Sequence, residues 1–208
     1  MIHLDHSSCA DLARAGGHGV KSYGTPPAAR CYSPAPTGRP ISAATYWAAA
    51  IHESGHTLAC LAAGWPLREV SIGPEPCGKG QTSIGRCRPA IDNLLRPDAG
   101  GKLRYPNDYR FRLRYCTYTL AGPSAEFVLL PDPPEKPCSD DMKYAKEDAE
   151  TIFPGDAEYQ KRFILVAGHD AARLVKRYCE EIKTVARALV ERRRLTGRDV
   201  DRVLGISQ

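Results

Sequence analysis

No Cys-x-x-Cys pair occurs among the eight cysteines, which sit at positions 9, 31, 60, 77, 87, 116, 138 and 179. Their spacing fits no zinc-finger pattern, and they read as small buried or incidental thiols of a reduced, cytoplasmic protein. No Gly-x-x-x-x-Gly-Lys-Ser/Thr phosphate loop is present, so ATP binding is not expected. No apolar run approaches the ~20 residues of a membrane span. The start, Met1-Ile2-His3-Leu4-Asp5-His6, shows no basic-then-apolar leader. A soluble protein without signal peptide or transmembrane segment is therefore expected. Strong charge is missing too. The formal net charge is +5, with one local cluster at Arg192-Arg193-Arg194, which reads as a solvated helix face, so no nucleic-acid partner is expected. At 208 residues the chain is one domain, or one domain with a tail, long enough to bury a core without disulfides or metal.

What is present is His52-Glu53-Ser54-Gly55-His56 inside an apolar run from Ala48 to Cys60. On an α-helix, residues four apart lie about 40° from each other and one turn along the axis. Both imidazoles then face the same way and can share one metal ion. Glu53 sits where it reaches a water on that ion as general base, the zinc-peptidase arrangement. The flanking Ala, Ile, Leu and Cys predict a buried helix, in which two histidines and a glutamate need partners. Two ligands do not complete a site, and the motif alone leaves the third open.

In chain order, residues 1–40 are rich in Gly, Pro and Ser and read as a flexible arm; His3, His6, His18, Cys9 and Cys31 fall there. Residues 41–208 form the folded domain. Its first helix is expected from a Ser42 cap to about Ala63, ended by Gly64 and Pro66. Gly55 in its interior suggests close approach of another backbone. Glu69–Gly73 and Gln81–Gly85 read as a hairpin or edge strands, beside which an extended substrate can add as a further strand. Cys77 and Cys87 flank the second stretch and are expected to be free thiols. Residues 88–106 read as a loop. From Asn107, the alternation of Phe111, Leu113 and Tyr115 with Arg112 and Arg114 is locally strand-like. Leu120–Leu130 looks helical, with Pro123 either kinking a long helix or starting a second. Glu126 in that apolar segment needs a partner, and the second ring nitrogen of a metal-bound histidine is one. After a Pro-rich loop, Ser139-Asp140-Asp141 reads locally as a helix cap. Helices follow over about 156–180 and 180–194. A short last helix is capped by Thr196–Asp199, and His169 reads as structural rather than as a ligand.

Taken together these blocks resemble the peptidase domain of the FtsH/AAA-type zinc metalloprotease family, from about residue 43 onward and in order. They are Ile51–His56, Arg68–Pro74, Leu120–Glu126, Ser139–Met142, and Ala186–Glu191 with Leu195–Val200. The resemblance implies a mainly α domain with a small hairpin after the metal-binding helix, and it implies helix, not strand, for 107–120. It implies that Asp141 is the third ligand of Zn2+ with His52 and His56, that Glu126 supports the ligands, and that Glu53 is catalytic. The family's ATP-driven unfoldase and membrane segments have no counterpart among the motifs, so a stand-alone peptidase is implied.

The expected activity is zinc-dependent endopeptidase hydrolysis of unfolded or flexible polypeptide, alone or with an unfoldase acting in trans; a homo-oligomer stays open. Two alternatives stand beside it. One is a catalytically restrained zinc-binding regulatory or interaction module, its site covered by the arm. The other is a different His-Glu-x-x-His group, such as the stand-alone repressor-cleaving proteases, which a third ligand other than Asp141 would favour.

Overall fold

The computed structural model describes residues 42–77, 81–91, 108–135 and 139–206. The arm at 1–40, most of the loop expected at 88–106, and the last residues of the Pro-rich loop lie outside the described residues. So do the side chains of Cys77 and Ser139. The fold is mainly helical with a small antiparallel sheet. Its elements are α1 (Ala43–Ala62), β1 (Leu67–Cys77), β2 (Gln81–Pro89), α2 (Tyr109–Leu129), α3 (Ser139–Ile152), α4 (Ala157–Arg177), α5 (Cys179–Arg192), β3 (Arg194–Thr196) and α6 (Gly197–Leu204).

Helix α1 is the centre of the core. Ser42 caps it by accepting from the Thr45 N–H at 3.1 Å, and Gly64, at φ 71°, takes the left-handed position past its end. Every residue from Ala49 to Cys60 is buried. Such a helix shows no polar face because it has no solvent face: α2, α5, β1 and β2 pack around it. Gly55 lets α2 come close, for a Cβ there would stand 2.5 Å from Ala121 O and 2.8 Å from Ala125 Cβ.

Helix α2 settles the ambiguous stretch against its local alternation. Leu113, Tyr115, Cys116 and Tyr118 are buried, but so is Arg112, which a half-exposed strand would have sent to solvent. Buried between α1 on one side and α3 and α4 on the other, the segment shows no single apolar stripe. Pro123 lies inside this one helix and starts no second one.

The sheet has the order β2-β1-β3. Val70 pairs with Cys87 on one side and with Leu195 on the other, and Ile72 stands opposite Gly85. Val70, Ile72, Cys87 and Leu195 are all buried. Two expectations are corrected here. Arg88 and Pro89 extend β2 rather than opening a loop. The Arg192-Arg193-Arg194 cluster is not a helix face: α5 ends at Arg192, Arg193 turns with φ 65° and stacks over Tyr46 at 3.8 Å, and Arg194 begins β3 and pairs with Glu69. Three residues are too few to show a period, which is why β3 escaped the sequence reading. The last helix carries the expected capping box between Thr196 and Asp199. Cys60, Cys87, Cys116 and Cys179 carry reduced thiols, and no described helix is long and apolar enough to cross a membrane.

Candidate metal centre

Helix α1 sets His52 and His56 one turn apart, on the face that meets α2 and α3. The two imidazoles lie edge to face with centroids 4.8 Å apart, and their Nε2 atoms are 3.1 Å from each other. Asp141, in the first turn of α3, completes the group: its Oδ2 is 3.1 Å from His52 Nε2 and 3.6 Å from His56 Nε2. All three residues are buried. The capping explanation of Asp141 yields to this placement, since a helix-capping carboxylate normally stays at the surface.

The outward ring nitrogens are held from behind by α2. His56 Nδ1 is 2.8 Å from the Tyr118 carbonyl, which can only accept, so Nδ1 carries the proton and Nε2 presents its lone pair. His52 Nδ1 is 3.4 Å from Glu126 Oε2, so its proton is drawn the same way. Glu126 thus lies buried beside the outward nitrogen of His52.

The consequence is electrostatic. Two imidazole lone pairs and a carboxylate oxygen converge out of reach of water, an arrangement that is repulsive unless a cation sits among them. The donor separations of 3.1, 3.1 and 3.6 Å bracket the about 3.3 Å edge of a tetrahedron with metal–ligand bonds of 2.0–2.1 Å. Room is kept as well. A Cβ on Gly122 would stand 2.5 Å from His56 Nε2 and 2.7 Å from His52 Nε2, so glycine leaves open the space that the lone pairs face. A buried His-His-Asp group of this kind can hold a metal ion. A proton is the substitute. Burial lowers the pKa of His52, but hydrogen bonding to Asp141 and Glu126 and the charges of Asp141 and Glu53 outweigh it, leaving the imidazole well above its ordinary 6.5. Asp141 runs the other way: burial raises it, but the His56 charge and hydrogen bonds from both histidines hold it well below the usual carboxylate range.

Glu53 is buried beside the donors, with Oε2 lacking a hydrogen-bond partner among the described residues. Burial pushes its carboxyl up to about 8; the His52 charge opposes this, and the charges of Asp141 and Glu126 add to it. Its other oxygen packs against β2, where a Cβ on Gly85 would stand 2.5 Å from Oε1.

All five residues singled out from the sequence, His52, Glu53, His56, Glu126 and Asp141, are therefore brought together. His169 is exposed on α4, outside the group, and is no core histidine either. Three participants went unread: Gly122, Gly85 and the Tyr118 carbonyl. Gly122 stood in the Leu120–Glu126 block, but a glycine before a proline reads as punctuation. A main-chain carbonyl has no signature in sequence. Among known proteins, no family model and no curated sequence matches this chain.

Proposed function

We propose that this chain is a zinc-dependent metalloendopeptidase of the FtsH-like kind, which acts in the cytoplasm on unfolded or flexible polypeptide. The observation that carries the reading is the convergence of three buried donors with a buried glutamate beside them, whose Oε2 has no hydrogen-bond partner among the described residues, on a helix whose neighbours keep space open at the convergence point.

His52, His56 and Asp141 would hold the ion; zinc bound there supplies Lewis acidity that polarises a peptide carbonyl and lowers the pKa of water toward ~7. Tyr118 and Glu126 orient the histidines. Glu53 accepts the proton from the attacking water and passes it to the departing amine. The placement of β2 supports an extended substrate: it is one edge strand of the sheet, and its Gly85 abuts Glu53. A peptide added along that edge would run past the base.

The test is Glu53→Gln beside wild type. The variant should retain one zinc per chain and lose casein cleavage by at least ~100-fold, the lower end of general-base contributions. Full wild-type cleavage in the presence of chelator would refute the mechanism. A folded reporter that survives while casein is cut would show that unfolding must come from a partner in trans. One observation favours the restrained module instead: Glu53 and the three donors are each at most 1 % exposed. Stoichiometric metal with no turnover on any flexible peptide would select it.

A further inference from the structure

Helix α3 delivers the third donor, yet it is poorly anchored by apolar contacts. Its buried stripe is Asp141, Ala145, Asp148 and Ala149, spaced i, i+4, i+7 and i+8 along one face. Within the helix two alanine methyls are weak anchors and Met142 packs only at the edge of the core; the larger apolar anchor, Phe153 against Tyr109 and Phe163, comes after its last turn. The other two members are carboxylates. Asp141 meets the histidines. Asp148 Oδ1 accepts a hydrogen bond from Arg112 Nη1 at 2.9 Å, with the two side chains only 6 % and 8 % exposed.

The spacing matters. Asp148 follows Asp141 by seven residues, two helical turns, so both point the same way. On α2, Arg112 precedes Glu126 by fourteen residues, about four turns, so those two also share a face. Contact at Asp141 alone would let α3 pivot about its N-terminal turn. A second contact two turns away removes that freedom, and alanine stripes, which slide easily, do not supply it. A guanidinium–carboxylate pair is directional and satisfied in few geometries. A buried pair is also a poor way to gain stability over apolar packing, so its position calls for another role.

We propose that Arg112 and Asp148 are positioning residues that fix the register of α3 on α2, and thereby place Asp141 against His52 and His56 before any metal arrives. The proposal rests on the metal-centre reading for the purpose of that placement, but not for the placement itself.

The test is the double variant Arg112→Met/Asp148→Leu, which removes both charges together, compared with wild type and with Arg112→Lys. Metal-free protein is followed by amide hydrogen exchange resolved by helix. Cobalt(II) titration with visible spectra reports affinity and coordination. In the double variant, α3 amides should exchange at least ~10-fold faster while α1 amides hold, and cobalt affinity should drop about 10–100-fold, as for lost ligand-supporting contacts, with a weakened tetrahedral d–d band. Arg112→Lys, which keeps a charge opposite Asp148, should fall between. Unchanged α3 exchange together with unchanged cobalt binding in the double variant overturns the proposal. If the double variant fails to fold, Arg112→Lys decides alone: wild-type exchange and affinity overturn the proposal, and an intermediate loss upholds it. Absence of cobalt binding by wild type would reject the metal centre itself, while α3 exchange would still decide whether the pair sets register.

Discussion

Gly122→Ala separates the metal-centre reading from a merely packed polar cluster, because two effects of known size oppose each other there. In an ordinary helix interior, alanine is more stable than glycine by about 1 kcal/mol. Part of that gain is lost before a proline, where a Cβ meets the ring of the next residue, here Pro123. Against the remainder stands the space the new methyl would take. It would lie 2.5 Å from His56 Nε2, 2.7 Å from His52 Nε2 and 2.9 Å from His52 Cδ2, whereas non-bonded carbon contacts settle near ~3.5 Å. Both rings must therefore retreat by roughly 1 Å, away from the point their lone pairs share. Metal sites tolerate deviations of only about 0.2 Å in ligand distance.

Loss of zinc affinity by at least ~100-fold is expected, beyond the usual cost of disturbing an outer contact. The metal-free fold should change by about 1–3 kcal/mol at most, the usual cost of one extra methylene in a packed interior. Metal content after gel filtration, a competitive zinc titration, and chemical denaturation in chelator measure the three quantities. A Gly122→Ala protein that binds stoichiometric zinc with wild-type affinity would refute the assignment of the ion to this point. Equal loss in His56→Ala, with retained helical circular dichroism in both, would support it.

Two further outcomes follow from the same geometry. Gly85→Ala, whose Cβ would press within 2.5 Å of Glu53 Oε1 and 2.7 Å of its Cγ, should leave zinc content unchanged and lower kcat at least ~10-fold, as expected when a general base is displaced; a loss confined to KM would place the defect in substrate binding instead. Chelated and zinc-loaded protein should differ in the sign of their pH dependence. Glu53 is raised from 4.5 to about 8 and His52 lies above 6.5, so the metal-free folded state binds more protons than the unfolded chain. Its stability must then fall as pH rises from about 4.5 through 8, by on the order of a few kcal/mol. Zinc binding displaces those protons, so the stabilisation by a fixed zinc excess should grow over the same interval. Melting curves at pH 5, 6.5 and 8 with and without chelator read both slopes, and parallel slopes would refute the competition between proton and metal.

The part of the site legible in sequence is the part whose geometry is local. His52, Glu53 and His56 are tied by helical spacing, and a buried helix can be read from its apolar flanks without knowing what it packs against. Asp141 is different. Its local signal, two aspartates after a serine at a helix start, is that of a cap, and only its place in an ordered series of blocks suggested more. What brings it beside the histidines is a tertiary fact, the packing of α3 against α2. The same distinction explains the misleading alternation at Phe111–Tyr115: Arg112 looked like a solvent residue because nothing nearby in sequence announced Asp148 as its partner. Glycine is the extreme case. Gly55, Gly85 and Gly122 each matter for what a side chain there would strike, Ala121 O, Glu53 Oε1 and the two Nε2 atoms respectively, and an absent Cβ leaves no pattern to read. The three lie at successive contacts of one helix: Gly55 brings α2 close, Gly122 keeps that closeness from filling the space beside the two histidines, and Gly85 lets β2 close over Glu53. A site with so little spare room owes its shape to the residues that were kept small as much as to those that carry charge.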